Sequence, residues 1–181
     1  MLSPYNNKGN LSAYALNMAI RDRVNPLERG KIVLKRDKDS FRDNDRVIIL
    51  QNDRERNCSN GDVGILHILK VEEKRVTYCV KLPDGRCPTW DDASGLAQLS
   101  LAYCLTVHKS QGSEYDTILL PIAKGMDGML SRNLLYTAIS RAKKRVILYG
   151  NSQALDVAVQ KNLPQRKSLL VPKTRMLLEC A

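Results

Sequence analysis

The chain has 181 residues, enough for one domain of ordinary size or for one domain that carries a small insertion. Hydrophobic residues make up 43% and charged residues 27%, which excludes a disordered chain, and no apolar run reaches the ~18 residues of a membrane-spanning helix. The formal net charge of +10 favours a polyanionic partner such as nucleic acid, although a solvated basic surface has the same composition.

The number and spacing of the cysteines predict that their thiols are reduced. The chain has 5 of them, an odd number, and they form no C-x-x-C pair. Neither a zinc site nor a disulfide framework follows from this spacing. The first residues also lack the basic start and apolar stretch of a signal peptide. We therefore expect a cytoplasmic protein without a metal site.

The first part of the chain alternates between helical and strand patterns. Residues 1–30 predict a strand end, a turn and an amphipathic helix that stops at Asn25-Pro26. The β-branched runs at 46–51, 63–71 and 75–82 predict short strands. The Pro-Asp-Gly at 83–85, after the last of these runs, marks a hairpin. Several short strands within residues 41–98 predict a small β barrel.

The second part of the chain is typical of an α/β domain. Apolar strands are predicted at 101–107, 117–122 and 145–150, and helices at 130–142 and about 152–161. Continuous apolar strands that alternate with helices indicate a parallel sheet covered on both faces. We expect residues 1–40 and 99–181 to form this domain, with 41–98 inserted into it and a loosely held tail at the end.

A polar loop follows the predicted strand 101–107. Its hydroxyl, imidazole and ammonium groups suit phosphates, and they belong to Thr106, His108, Lys109 and Ser110. Gly112 allows close backbone approach, and Glu114 can accept hydrogen bonds from a sugar hydroxyl. An isolated histidine is more often a surface or capping residue. The concentration of polar and small residues after a buried strand favours a ligand site instead.

The predicted helix 130–142 has two faces. A buried stripe is expected from the helical spacing of Leu134, Leu135, Ala138, Ile139 and Ala142. Asn133, Thr137 and Arg141 share another face. Arg141 is either a favourable partner of the helix dipole or an arginine directed at a phosphate outside this chain.

The segments HKSQGSE and RNLLYTAISRAKK resemble motifs V and VI of superfamily 1 helicases, in particular the exodeoxyribonuclease V alpha-subunit (RecD-like) and TraA-type DNA helicases. LSPY, LN, NP, DRVI, QND and NGDVG occur in the same order upstream, so the resemblance reaches to about residue 150. It implies the second RecA-like motor domain, a P-loop NTPase type of fold with an SH3-like β-barrel insert at 41–98. Single-stranded DNA would cross the domain, with movement from 5′ to 3′.

The resemblance also implies roles for individual positions. The residues expected to contact DNA are Thr106, His108, Lys109, Ser110 and Asn52. Gly112 and Glu114 are expected to face the nucleotide, with Glu114 towards the ribose, and Arg141 matches the arginine finger. The cofactors are then ATP and Mg²⁺, and the biological setting is DNA repair, recombination or DNA transfer.

One departure from a complete helicase affects every functional expectation. No G-x-x-x-x-G-K-[ST] sequence occurs in the 181 residues. We therefore expect an N-terminal RecA-like domain of the same polypeptide to hold most of the ATP and Mg²⁺, and this chain alone to be inactive. Other recombination subunits are further expected partners. Two alternatives stay open: a non-catalytic module that binds nucleic acid or protein, and a hydrolase that pairs His108 with Ser110 or Ser113.

Overall fold

The computed structural model describes residues 1–36, 39–72, 75–126 and 128–161. The tail expected after the last helix lies outside these residues. The helices of the described part are α1 (Ala13–Val24), α2 (Arg132–Ile139) and α3 (Ser152–Gln160). Its strands are β1 (Leu2–Ser3), β2 (Val33–Arg36), β3 (Asp39–Arg42), β4 (Arg46–Ile49), β5 (Val63–Val71), β6 (Val76–Lys81), β7 (Thr89–Trp90), β8 (Leu99–Leu101), β9 (Leu105–Thr106), β10 (Tyr115–Ile122) and β11 (Ala142–Gly150).

Helix α1 confirms the first predicted helix. Ser12 caps it, because the Ser12 hydroxyl accepts the Ala15 N–H at 3.3 Å. The helix ends before Asn25, where Pro26 cannot continue the backbone hydrogen bonds. Its buried side is partly polar, since Asn17 and Arg21 are buried beside Ala13. These two side chains bind neighbouring parts of the backbone, as described below for Asn17.

The middle of the chain forms a five-stranded antiparallel sheet with the strand order β7-β6-β5-β4-β8. Strands β4, β5 and β6 confirm the three β-branched runs. No pairing joins the end strands β7 and β8 in the part of the chain that the structure describes, so the sheet stays open. Strand β7 is only two residues long, and a separate hairpin of β2 and β3 lies outside this sheet.

Strand β4 lies between two hydrophobic cores. Val47 and Ile49 pack into the core of the antiparallel sheet, together with Phe41, Tyr78 and Trp90. Ile48 points the other way and joins the core that contains β9, β10, α2 and α3. Because successive side chains of a strand face opposite sides, a strand with apolar groups on both faces must be covered on both. The unbroken apolar run of β4 reflects this position.

The single strand predicted over 101–107 is wrong, because these residues belong to two strands in two sheets. Leu101 of β8 pairs with Val47, whereas Leu105 of β9 pairs with Leu2. Asn17 holds the chain between the two strands: its Nδ2 donates to the Cys104 carbonyl and its Oδ1 accepts the Cys104 N–H, both at 2.8 Å. The side-chain amide thus replaces a strand partner for the backbone of Cys104.

Parallel pairing confirms the predicted α/β class. Strand β1 pairs in parallel with β9, and β10 pairs in parallel with β11. Helices α2 and α3 pack on this part of the molecule through Leu134, Leu135, Ala154 and Ala158. No helix in the described ranges is long and apolar enough to cross a bilayer.

The predicted boundary between the insert and the domain lies just before residue 99. Strand β8 begins at Leu99, on the domain side, but pairs with β4 on the insert side, since Leu99 pairs with Ile49. The division into 1–40 with 99–181 and 41–98 therefore stays a prediction. A related expectation, a helix over 130–142, is too long: α2 ends at Ile139, and Ala142 instead pairs with Tyr115 in the parallel sheet. Leu134, Leu135 and Ala138 are buried as predicted, whereas Ile139 is 41% exposed.

Candidate functional site

The loop after β9 presents two of the predicted side chains to solvent. Its backbone folds into consecutive turns, in which Ser110 N donates to Thr106 O at 3.1 Å and Gln111 N donates to His108 O at 3.2 Å. His108 and Lys109 are exposed at the carboxyl end of β9. This end of a parallel strand is where open α/β sheets bind ligands. An imidazole and an ammonium group are thus available to a polyanion.

Thr106 and Ser110 lie beneath this surface. The Thr106 hydroxyl accepts the Lys109 N–H at 3.1 Å, and the side chain of Thr106 is buried. The Ser110 hydroxyl is fully buried and donates to the Val107 carbonyl at 2.7 Å. Both hydroxyls therefore shape the loop. The hydrogen bond of Ser110 also argues against its use as a nucleophile beside His108.

A groove runs beside the loop and adds residues that the sequence did not single out. Its polar lining includes Thr106 and Lys109 of the loop, together with Asn6, Tyr14, Asp39 and the buried Asn17. Tyr14 is 46% exposed, so its ring is available for stacking at the edge of the groove. The helical pattern predicted that Tyr14 lies on α1, but it did not indicate that Tyr14 lines a groove together with Thr106 and Lys109.

The other predicted residues meet at the amino-terminal ends of β10 and β11. Tyr115 N donates to Arg141 O at 2.9 Å, which fixes the start of β10 against the residue that precedes β11. Glu114, next to Tyr115, forms an ion pair with Lys143, with 3.2 Å between Oε2 and Nζ. Parallel pairing thus brings a carboxylate and a guanidinium group from distant parts of the chain to one edge.

Arg141 has an incompletely bonded side chain. Its Nη2 donates to the Ser140 hydroxyl at 3.2 Å. Its Nε is buried and donates to no group among the residues with described positions. A buried N–H without an acceptor costs free energy, about 1–3 kcal/mol, and an oxygen ligand from another domain would reach it only after the Arg141 side chain turned outward.

Gly112 occupies the turn between the loop of His108 and Lys109 and the sheet edge that carries Glu114 and Arg141. Its φ of +84° lies in the left-handed region, where an L-residue with a side chain is strained. A Cβ at this position would meet no heavy atom within 4 Å, so the space beside it is open. Gly112 is therefore required by the backbone conformation and leaves room for a ligand.

The predicted site residues thus fall into separate places. His108 and Lys109 lie after β9, and Glu114 and Arg141 lie before β10 and β11. Asn52 lies in the loop between β4 and β5, exposed, where its Oδ1 accepts the Asn60 N–H at 2.8 Å. In the described ranges, no cluster of three or more His, Cys, Asp or Glu side chains could hold a metal ion.

Residues of the DRVI and NP motifs, upstream of β9, form a buried hydrogen-bond network. The buried Asp45 carboxylate accepts from Arg42 N at 2.8 Å, Asn25 Nδ2 at 2.8 Å and Tyr103 Oη at 3.0 Å. Arg42 Nη1 in turn donates to Asn25 O at 2.8 Å. Burial raises the pKa of Tyr103, so its hydroxyl remains a donor at neutral pH. This network joins the end of α1 to β3, β4 and the strand break near Tyr103.

Replacing Ser131 by alanine is expected to destabilise the fold by about 1 kcal/mol, because Ser131 caps α2, the helix that leads to Arg141. Its hydroxyl accepts the Leu134 N–H, and the side chain is buried. Urea denaturation followed by circular dichroism measures the loss. Ser152→Ala is the matched control, since Ser152 is exposed in the first turn of α3 and Asn151 caps that helix. Equal stabilities of the two variants would contradict the capping role.

Comparisons with known proteins extend these observations. Residues 101–149 match the UvrD-like helicase C-terminal domain, and residues 16–81 match the ATP-dependent RecD-like DNA helicase SH3 domain. An ATP-dependent RecD2 DNA helicase of Deinococcus radiodurans is 34% identical over 168 residues, which are 93% of this chain and 22% of that protein. The RecBCD enzyme subunit RecD of Mycobacterium tuberculosis is 27% identical over 124 residues, which are 68% of this chain and 20% of that protein.

Solved structures share the fold. Bacteroides Pif1 bound to ssDNA superposes with a TM-score of 0.57 at 17% identity, covering 99% of this chain and 45% of Pif1. The Pif1 helicase of Candida albicans gives a TM-score of 0.54 at 17% identity, over 99% and 50% of the two chains. These likenesses confirm the predicted RecA-like fold class. The chain spans about a fifth of the length of the curated relatives described above.

Proposed function

Because this chain is related to the C-terminal region of RecD-like superfamily 1 DNA helicases, we propose that it is the second motor domain of an ATP-dependent DNA helicase. The observation that carries the proposal is the meeting of Glu114 and Arg141 at one sheet edge. His108 and Lys109 lie beyond the next turn of the same loop. A nucleotide contact and a DNA contact would thus be linked by a few residues of chain.

Arg141, Glu114 and Gly112 are the proposed nucleotide contacts. The Arg141 guanidinium would stabilise negative charge on the γ-phosphoryl group. Its Nε, which is buried without a partner among the described residues, would donate to a phosphate oxygen once the side chain turned outward. Glu114 would accept a hydrogen bond from a ribose hydroxyl while Lys143 keeps the carboxylate oriented. ATP with Mg²⁺ supplies the phosphoryl bond whose hydrolysis drives movement. An N-terminal RecA-like domain of the same polypeptide would hold most of both, and this chain alone would not hydrolyse ATP.

His108, Lys109 and Thr106 are the proposed DNA contacts. The two exposed cationic or polar side chains would bind backbone phosphates, and Thr106 would fix the turn that carries Lys109. We assign Ser110 the role of holding the loop, since its hydroxyl is buried. Asn52 would contact DNA from the loop between β4 and β5. Movement from 5′ to 3′, a role in DNA repair, recombination or transfer, and association with other recombination subunits belong to the same proposal.

Replacing His108 and Lys109 together by alanine is expected to weaken single-stranded DNA binding and its salt dependence. Loss of one phosphate contact from Lys109 should reduce the slope of log K against log salt by about 0.7, the contribution of one contact to a single strand. Fluorescence anisotropy with a labelled oligonucleotide from 50 to 300 mM salt (roughly the range in which such contacts dominate) measures both. Lys81→Ala is the control, because Lys81 is exposed on β6. Unchanged binding by the double variant would remove this loop from the DNA surface.

The motor proposal and the binding-module alternative predict different activities. ATPase assays should compare this chain with the complete polypeptide, each with and without single-stranded DNA. The motor proposal predicts DNA-stimulated ATP hydrolysis by the complete polypeptide and none by this chain. DNA binding by the complete polypeptide without any ATP hydrolysis would contradict the motor and support a non-catalytic module.

A further inference from the structure

Two cysteines lie side by side on the outer face of the antiparallel sheet. Cys79 pairs with Thr89 across β6 and β7. Towards the turn, Val80 N donates to Pro88 O at 3.0 Å and Leu82 N donates to Arg86 O at 2.9 Å, so Cys87 lies opposite Lys81. Because side chains alternate along a strand, Cys79 and Cys87 share one face as diagonal neighbours. The core residues Tyr78, Val80 and Leu82 occupy the other face.

The two sulfur atoms are close enough to react. Cys87 Sγ lies 2.8 Å from Cys79 Sγ. A disulfide needs a separation of about 2.05 Å, so roughly 1 Å of movement would suffice. Both thiols are free in the structure, and so are Cys58 and Cys104, which are buried elsewhere. We propose that Cys79 and Cys87 form a reversible disulfide that closes the hairpin between β6 and β7 under oxidising conditions.

The environments of the two thiols assign the order of the steps. Cys87 is exposed, whereas Cys79 is only 5% exposed. Burial, together with the hydrogen bond from Cys87, raises the pKa of the Cys79 thiol to about 12. Cys79 is therefore protonated at neutral pH and shielded from bulky reagents. An oxidant in solution reaches Cys87 first, and Cys79 then acts as the resolving thiol.

Glutathione disulfide is a suitable oxidant because the exchange is balanced. The Cys87 thiolate attacks one sulfur of glutathione disulfide, forms a mixed disulfide and releases the first glutathione thiolate. The Cys79 sulfur, on losing its proton to solvent, attacks Cys87 Sγ and releases the second glutathione thiolate. The protein loses two S–H bonds and gains one S–S bond. The electron pair passes to glutathione, which leaves as two thiols once protonated.

Peptide mapping after oxidation tests the proposal. Trypsin cleaves after Lys81 and after Arg86, which places Cys79 and Cys87 in different peptides. The chain is treated with glutathione disulfide in a Cys180→Ser background, blocked by alkylation and digested without reductant. We expect the peptide of residues 76–81 to be joined to the peptide that begins at Cys87. Dithiothreitol should separate the two peptides and restore both thiols.

Matched variants complete the experiment. Cys87→Ser should abolish the joined peptide, whereas Cys58→Ser should leave it unchanged, since Cys58 lies in a different loop. The oxidised chain should also melt at a higher temperature than the reduced chain, and Cys87→Ser should lose this shift, because a cross-link restricts the unfolded state. A glutathione adduct on Cys87 with a free Cys79 thiol would overturn the proposal. A link from either cysteine to another chain would overturn it as well.

Discussion

Replacing Arg141 by alanine in the complete helicase is expected to lower ATP turnover on the order of 10³-fold, and affinity for single-stranded DNA should stay nearly unchanged. Arg141 follows α2, and its carbonyl accepts the N–H of Tyr115, the residue after Glu114, so it lies outside the loop of His108 and Lys109. Its loss would remove charge stabilisation from the transferring phosphoryl group without removing a proposed DNA contact. Steady-state ATPase assays and anisotropy on the same preparation measure the two effects.

Arg132→Ala provides the control for Arg141. Arg132 is an exposed arginine in the first turn of α2, at the opposite end of the same helix. It should retain ATP turnover and DNA affinity. Arg141→Lys adds a second comparison, because lysine keeps the charge but lacks the planar group of donors. Turnover of Arg141→Ala within about a factor of two of the unmodified enzyme would exclude the arginine-finger role, since such residues contribute far more.

Replacing Asp45 by alanine is expected to destabilise the fold by about 3–5 kcal/mol, since the change leaves several buried donors without an acceptor. The donors are the Arg42 N–H, the Asn25 amide and the Tyr103 hydroxyl. Asp45 itself has no solvent exposure. Urea denaturation gives the free energy of unfolding. The main-chain N–H of Arg42 has the least freedom to find a new partner.

Asp91→Ala is the matched control for Asp45, because Asp91 is an exposed aspartate before the 3₁₀ turn at 93–98. Its stability should stay within about 0.5 kcal/mol of the unmodified protein, as is usual for surface substitutions. Asp45→Asn should fall between the two, since the amide keeps one acceptor oxygen. A loss of less than about 1 kcal/mol for Asp45→Ala would mean that the donors find other acceptors.

Regular elements of this fold were predictable because their periodicity repeats over several residues. The helix ending at Asn25, strands β5 and β6, and helix α3 all follow the expected patterns. The break between β8 and β9 was not predictable, since residues 101–107 are predominantly apolar and nothing in the sequence shows which strands they pair with. The backbone of Cys104 is also hydrogen-bonded to the side chain of Asn17, which lies 87 positions earlier in the chain. No local pattern records a contact of this kind.

The arrangement of the candidate site was likewise not predictable from local sequence patterns. The sequence placed Glu114 and Arg141 in different motifs, and only the parallel register of β10 and β11 brings their backbones together. The sequence analysis included Lys143 only within the segment RNLLYTAISRAKK, and its ion pair with Glu114 depends on the register of β10 and β11. The burial of Ser110 was not predictable from the sequence for a different reason. A hydroxyl in a polar loop can face solvent or bind its own backbone, and the residue type is the same in both cases.

The division of residues 99–106 between two sheets affects the order in which the chain can fold. Strand β1 has no strand partner other than β9 in the described residues, and Leu2 pairs with Leu105. Strand β8, immediately before, completes the antiparallel sheet. During synthesis at about 5–20 residues per second, the hairpins of the middle region can form while the first strand waits unpaired for several seconds. One short stretch of chain then completes both sheets, so a nascent chain stopped before it would expose both cores.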